Sequence, residues 1–410
     1  MRKNWIATEE HGEEVQDVSL MEVPSESLES DLVEVTGLDK DVESLVADGE
    51  ELEHDQAKVE ELAANAEASL EEDGMDETAA RATEIAAEGF CDKWGIQRKK
   101  VGLESFGTSD GRRQATQIAV ESLKDAAAGM WETFVKWLKE MVAKAREQLL
   151  KLTNAGKKMK GRAEKLEARL DKGLGVQDKK EVEGSFTKQL AVDEKIDYAE
   201  CLSFANSSAS SVDSIGKSVM TGIDQTGKLL RAGEVEGAGG SKMELITGSF
   251  GKKTSKKLGV PQGAEGVEVK ALPGNCYLIG YTANGTKVTK FEVATDKVKD
   301  GKLPVLSADQ CKAGAKALFT IGEVLETKLK AFRETNEKMD KLADAAKEAA
   351  SKNKDANSEN RESTKAALAQ ARADINSAKA AERAVTTSLK NAGAGIYGYV
   401  AASIGAYKAA

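Results

Sequence analysis

Apolar residues recur at intervals of three and four along residues 112–170, which is the pattern of a helix with one buried face. Ser109 and Asp110 offer N-cap oxygens at its start. Lysine and arginine side chains largely occupy the opposite positions, and Asn154-Ala155-Gly156 predicts a break. The pattern therefore predicts a basic helical module over residues 105–175.

The same periodicity returns in the C-terminal part of the chain. Ser307 followed by Gln310 is the signature of a capping box, which predicts that a helix begins there. The polar stretch 351–363 predicts a loop between two long helices, and residues 394–407 carry tyrosines among small residues. We therefore predict a helical hairpin or bundle over residues 306–410.

A different pattern occupies the region between these helices. Residues 266–294 alternate apolar and polar side chains around Asn284-Gly285, a strong hairpin turn, and predict a small antiparallel sheet within residues 261–305. Residues 176–260 are less regular, with amphipathic stretches around 212–231, and are interpreted as an irregular helical segment with flexible turns.

The charge distribution divides the 410-residue chain, whose net charge is -10. Residues 1–90 hold 28 acidic and 5 basic side chains, a balance of -23, and the remaining residues have a balance of +13. Dense like charge with little apolar surface disfavours a stable core. We therefore predict an acidic, largely disordered N-terminal arm over residues 1–104. The body is predicted to be mainly α, with long amphipathic helices in a bundle and the small β insertion.

Residue types that support catalysis are scarce. The two histidines, His11 and His54, lie in the acidic arm, so the body cannot form a Ser-His-Asp triad or a histidine zinc site. The four cysteines lie far apart and are expected to be small buried residues in a reducing compartment. Glycine-lysine segments near residues 216 and 227 lack the complete phosphate-loop motif. We expect no enzyme, no metal site and no cofactor.

Basic residues are concentrated in residues 93–172, which contain 19 basic and 10 acidic side chains. Such a density of positive charge binds a phosphate backbone without reading its sequence. The candidate contacts with DNA or other phosphates are Arg112, Arg113, Lys136, Lys139, Lys144, Arg146, Lys157, Lys158, Lys160 and Arg162. Two alternatives stay open: a solvated helix face around an ordinary core, or a membrane-surface helix carrying Trp131, Phe134 and Trp137. No apolar run is long enough for a transmembrane helix, so no stable membrane insertion is expected.

Several segments resemble a known family. These are Leu103-Glu104-Ser105-Phe106-Gly107, the stretch Arg112–Glu121, the aromatic-basic helix Met130–Leu152, the segment Ala163–Leu170 and the closing Tyr399–Tyr407. Together they resemble the internal head proteins of large contractile-tailed phages, also called prohead core or inner capsid proteins. The resemblance covers residues 103–410 and carries no catalytic group.

The resemblance implies a structural virion protein that assembles inside the prohead, in the host cytoplasm, and is then trimmed after a glutamate by a phage maturation protease. Its expected partners are capsid or prohead core proteins, the protease and, non-specifically, genomic DNA. Residues 1–104 would be the propeptide, with candidate cleavage after Glu72, Glu88 or Glu104. The first two fit the family's pattern of Leu, Ile, Ala or Ser two residues earlier, whereas Gly102 departs from it.

Two functions of other kinds stay open beside this one. The aromatic-basic helix and the tyrosine-rich C-terminus also suit a membrane-active protein delivered to a host cell. The helical pattern by itself also suits a scaffold or interaction protein unrelated to phage.

Overall fold

The computed structural model describes residues 25–97, 108–232, 250–256, 258–283, 285–294, 298, 301–353 and 358–408. Its helices are α1 Ser25–Glu71, α2 Glu77–Trp94, α3 Ser109–Asp171, α4 Phe186–Gln189, α5 Tyr198–Ala232, α6 Ala308–Glu323, α7 Lys330–Asn353 and α8 Ser358–Ile404, with a π-helical turn, Val324–Lys328, between α6 and α7. Its strands are β1 Glu181–Val182, β2 Ala191–Val192, β3 Lys195–Ile196, β4 Lys252–Lys253, β5 Glu265–Leu272, β6 Cys276–Ala283, β7 Thr286–Val293 and β8 Leu303–Pro304. The prediction of a mainly α fold with a small β insertion is confirmed.

Helix ends follow local capping chemistry. The predicted capping box at α6 is present, because Ser307 Oγ accepts from the Gln310 backbone N–H and the Gln310 side chain accepts from the Ser307 N–H. At α3 the cap is Thr108, whose hydroxyl accepts from Gly111 N at 3.1 Å, rather than Ser109 or Asp110. These caps fix where α3 and α6 start through hydrogen bonds within the first turn of each helix.

The long helix α3 runs unbroken through the predicted break at Asn154-Ala155-Gly156, so that prediction is wrong. Ala155 and Gly156 are buried, and the hydrogen of Gly156 faces the backbone of Gly322 on α6. The glycine therefore allows two helices to approach closely and does not end one. In the same way, α8 continues without interruption across residues 364–404, and residues 212–231 lie within the continuous α5.

The β insertion forms a four-stranded antiparallel sheet in the order β4-β5-β6-β7, which confirms the sheet predicted over residues 266–294. Strand β7 packs against α8, and the backbone N–H of Thr289 donates to Ser377 Oγ of α8 at 3.0 Å. Asn284 of the predicted hairpin turn lies outside the described residues, while Gly285 has a φ of +75°. The sheet thus covers one side of α8.

Helix α8 packs against α1, α3, α4, α5, α6, α7 and the sheet. It carries buried polar side chains that bond to its neighbours. The Asp374 carboxylate accepts a hydrogen bond from the Thr226 hydroxyl on α5. Lys379 and Glu382 form hydrogen bonds with each other and with the Asn336 side chain on α7. The apolar core is continuous from Leu52 in α1 to Ala406 beyond α8.

The acidic arm is helical from Ser25 to Trp94 apart from a turn, so the prediction of a largely disordered arm does not hold for this part. Leu52, Val59 and Ala66 of α1 are each no more than 1% exposed and pack on the body. The arm is ordered because its apolar positions and carboxylates find partners far along the chain, which local composition does not reveal. Residues 1–24 and 98–107 lie outside the described residues.

Candidate functional site

The site is the interface between α1, from the acidic arm, and α3, the long basic helix. Asp41 of α1 pairs with Lys144 at 3.1 Å, and Glu67 pairs with Lys124 at 2.6 Å. The order of these pairs shows that the two helices run antiparallel. The hydrogen bond and charge of Asp41 raise the pKa of Lys144, so the lysine is held in its charged form. Charges of opposite sign thus face each other along the interface.

A third cation comes from α2. Lys93 contacts Glu51 at 2.7 Å and Asp55 at 2.5 Å, and the indole Nε1 of Trp94 donates to Asp55 at 3.1 Å. Burial raises the pKa of Asp55, but the hydrogen bonds from Lys93 and Trp94 and the lysine charge outweigh it, and the net pKa is lowered. The hydrogen bonds of Lys93 to Asp55 and Glu51 raise the pKa of Lys93. Asp55 therefore stays ionised within the interface and ties α1 to α2.

Trp137 of α3 contacts α1 through both a hydrogen bond and its ring. Its indole Nε1 donates to the Leu45 carbonyl of α1 at 2.5 Å, and its ring fills a notch at Gly49. A Cβ atom at Gly49 would lie 2.3 Å from Trp137 Cζ2, so only glycine leaves room for the ring. Phe134 stacks on Trp137 with ring centroids 5.2 Å apart.

Arg372 of α8 contacts both α3 and α1 at this interface. Its guanidinium lies 4.0 Å from the Trp131 ring centroid and 4.8 Å from that of Phe134, a cation–π arrangement largely removed from solvent. It also donates to Oε1 of Gln56, a fully buried residue of α1. Three helices therefore meet at one polar contact inside an apolar surrounding.

The sequence carries a signal for this interface that its composition and charge do not reveal. Residues 45, 52, 59 and 66 recur every seven positions, as do 49, 56, 63 and 70, which is the heptad spacing of a helix that packs along another helix. Gly49 and Gln56 occupy two of these positions and interrupt an otherwise apolar series. They are the residues that receive Trp137 and Arg372.

Most of the predicted phosphate contacts have partners within the chain. Besides Lys144, Lys139 pairs with Asp344 at 3.0 Å and Arg146 with Asp340 at 2.5 Å, and both acids lie on α7. Lys160 pairs with Glu326 of the π-helical turn at 2.9 Å.

The remaining candidates differ in exposure. Arg162 lies over the Tyr397 ring at 5.6 Å, and Arg113 donates to the Glu72 carbonyl at 2.8 Å. Arg112 is half-buried. Lys136, Lys157 and Lys158 are exposed. The structure therefore pairs part of the predicted basic face with acidic side chains, and the paired residues Lys139 and Arg146 are exposed like Lys136, Lys157 and Lys158.

The candidate cleavage sites lie in three different settings. Glu72 is exposed in the turn between α1 and α2. Glu88 is half-buried in the middle of α2, where the helical backbone would have to open before it could be cut. Glu104 lies outside the described residues. Exposed turns are the preferred sites of proteolytic nicking, so the backbone at Glu72 is more accessible to a protease than the backbone at Glu88.

The aromatic residues that suggested a membrane-surface helix belong to the core. Trp131, Phe134 and Trp137 are each at most 8% exposed. Among the described residues, no helix combines the length and the apolar character that crossing a membrane requires. The burial of these three rings therefore favours an ordinary core role over a membrane-surface helix.

The four cysteines, Cys91, Cys201, Cys276 and Cys311, are buried thiols, and their burial was expected. Within the described ranges, no three or more histidine, cysteine, aspartate or glutamate side chains are grouped so that they could hold a metal ion.

Comparison with known proteins identifies the family. No curated protein and no solved structure matches the chain. A family model matches residues 38–402, which covers the resemblance noted over residues 103–410 almost entirely and extends it into α1. The chain therefore belongs to the phiKZ-like phage internal head proteins, which are located inside the phage head.

Proposed function

We propose that this protein is a non-enzymatic structural component of the phage head whose acidic arm covers a basic face until a maturation protease trims it. The observation that carries the proposal is the α1–α3 interface, in which carboxylates of α1 neutralise Lys144 and Lys124 of α3. While α1 is in place, its carboxylates compete with a polyanion for these two lysines, which stay partly exposed to solvent. The arm would thus keep the body off DNA during assembly in the host cytoplasm.

Trimming is proposed to occur after a glutamate between Glu72 and Glu104. The Glu72–Asp73 bond lies in the exposed turn after α1, and cutting there separates α1 from the rest of the chain. Cutting after Glu104 would detach α2 as well. Either cut breaks the covalent link between the most acidic part of the chain and the retained body.

Charge supports a DNA-facing role for the retained body. Residues 105–410 contain 50 basic and 39 acidic side chains, a balance of +11 against -10 for the whole chain. Lys136, Lys157 and Lys158 are exposed on α3 even with α1 in place, so the arm would act on these residues through its negative charge and not by covering them. These faces are proposed to contact packaged DNA without sequence specificity, or the inner capsid surface.

N-terminal sequencing of the protein from mature particles tests the trimming. A new N-terminus directly after a glutamate between Glu72 and Glu104 is expected. Finding residues 1–72 intact and attached in mature particles overturns the propeptide assignment.

A salt titration tests the charge mechanism. Trimmed protein freed of the arm is expected to bind duplex DNA more tightly than the full chain, with an affinity that falls steeply as salt rises. Equal affinity of the two forms at low salt would contradict a covering role for the arm.

A further inference from the structure

The α3 face under α1 is itself a helix-binding groove, walled by α2, α3 and α8. We propose that this groove keeps α1 bound as a separate peptide after the chain is cut in the Glu72–Asp76 turn, so that cutting alone does not uncover the basic face. The inference rests on the proposed function in one respect, because it takes the turn as the place of cutting. It adds a second step, dissociation of α1, between cleavage and exposure of α3.

The apolar contacts that hold α1 do not depend on the turn. Leu52, Val59 and Ala66 are spaced by seven residues and are each at most 1% exposed, so one face of α1 is buried over several helical turns. Leu45 and Leu62 pack beside them, partly buried. Burial of apolar surface stabilises the contact whether or not the two helices are covalently joined.

The polar contacts give the groove its specificity. Trp137 donates to a carbonyl of α1 and fits the notch at Gly49, while Arg372 bonds to Gln56. Both donors lie on the body, and both acceptors lie on α1. A helix without a glycine at the position of Gly49 would meet the indole ring, so the groove discriminates by shape as well as by charge.

Charge complementarity adds to the same contact from the rim. Lys93, Lys124 and Lys144 each face a carboxylate of α1 at 3.1 Å or less. These pairs are partly solvent-exposed, so salt weakens them, but the apolar contacts persist at high salt. We therefore expect retention to fall only partly as salt rises.

The turn contributes chiefly a tether. A short linker holds two parts of a chain at an effective concentration in the mM range, and cutting it removes this contribution. The Arg113 hydrogen bonds to the Glu72 carbonyl lie at the cut itself. Retention then depends on the groove's own affinity for residues 25–72.

The test uses the full chain with a site-specific protease sequence inserted between Asp73 and Gly74, both in the turn. After cutting, size-exclusion chromatography and native mass spectrometry report whether the α1 peptide travels with the body. Co-elution at physiological salt is expected. Separate elution of the peptide under those conditions overturns the inference. Trimming in the particle and its effect on DNA binding are tested independently, by the N-terminal sequencing and the salt titration described above.

Gly49→Ala in the same background tests the notch. The added methyl group overpacks the contact with Trp137 and is expected to weaken retention by about tenfold to a hundredfold. Gly89→Ala is the matched control, because a Cβ at Gly89 on α2 meets nothing within 4 Å. Equal retention by both variants would show that the peptide is not held in this notch, and circular dichroism before cutting checks that both are folded.

Discussion

Gly156 of α3 and Gly322 of α6 face each other where the two helices cross. A Cβ atom on Gly156 would lie 2.7 Å from the Gly322 carbonyl oxygen, and one on Gly322 would lie 2.8 Å from the Gly156 carbonyl oxygen. Each glycine therefore creates the space that the other's backbone occupies. The π-helical turn Val324–Lys328 follows at once, and Lys160 pairs with Glu326 across the same crossing.

Gly156→Ala is expected to lower the free energy of unfolding by about 1–3 kcal/mol, because the methyl group must push two helix backbones apart. Urea titration followed by circular dichroism measures the change. The matched control is Gly161→Ala in the same helix, where a Cβ meets nothing within 4 Å. That variant should be neutral or more stable by up to about 1 kcal/mol, since alanine is the better helix former. Equal destabilisation by both would contradict the crossing as the cause.

These two glycines explain which parts of the fold sequence patterns predict and which they do not. The Ser307–Gln310 capping box and the alternation of residues 266–294 are local signals, and the structure confirms both. Gly156 carries the same local signal as a helix breaker, but a partner 166 residues away decides its role. Propensity is a weak signal that tertiary packing overrides.

The acidic arm shows the same limit for charge. Taken alone, the carboxylates of the arm predict mutual repulsion. The lysines that pair with two of them, Lys144 and Lys124, lie about a hundred and about sixty residues further along the chain. The heptad spacing was visible in the sequence and would have predicted a packed helix. The Trp137 notch and the Arg372 bond, by contrast, require the fold.

The attachment of α1 to α2 is expected to depend on pH at both extremes. Asp55 has a lowered pKa, so its contribution to stability is full above its ordinary value near 3.8 and is lost as the pH falls through the lowered value. Lys93 has a raised pKa, so its contribution is full below 10.5 and is lost as the pH rises through the raised value. Urea unfolding at pH 7 and pH 3 measures the acid limb. Asp55→Asn should show a smaller loss of stability between these pH values, and an unchanged loss would contradict the role of Asp55.

Thiol reagents are expected to react slowly with the folded protein. Burial raises the pKa of Cys311 to about 11 and raises that of Cys201 further, so few thiolates form at pH 8. Cys201 Sγ also lies 3.6 Å from the Leu190 carbonyl oxygen, where its S–H can donate. Labelling with a chromogenic disulfide reagent in buffer and then in denaturant measures the difference. Rapid labelling of the native protein would show that these side chains are accessible in solution.

DNA binding by the trimmed protein is expected to depend on lysines that differ in their surroundings. Lys136, Lys157 and Lys139 are all exposed, but Lys139 also pairs with Asp344 at 3.0 Å. Removing two phosphate contacts with Lys136→Gln and Lys157→Gln should reduce the slope of log affinity against log salt by about 1–2. Lys139→Gln should change the slope less. The reverse ranking would place the DNA contact elsewhere on the surface.

The buried group Lys379, Glu382 and Asn336 tests whether α8 carries a desolvated ion pair where it faces α7. The Lys379 ammonium and Glu382 carboxylate are 2.9 Å apart, at most 3% exposed, and both side chains bond to Asn336 of α7. Glu382→Gln leaves a buried ammonium without its counter-charge and is expected to lower the free energy of unfolding by about 3–5 kcal/mol.

Replacing both charges at once, Lys379→Met with Glu382→Leu, should cost much less than the sum of the single changes, because no unpaired charge stays buried. A double-mutant cycle by urea unfolding measures the coupling. Additive effects of the two replacements would mean that water reaches these groups, so that α8 does not carry a desolvated ion pair.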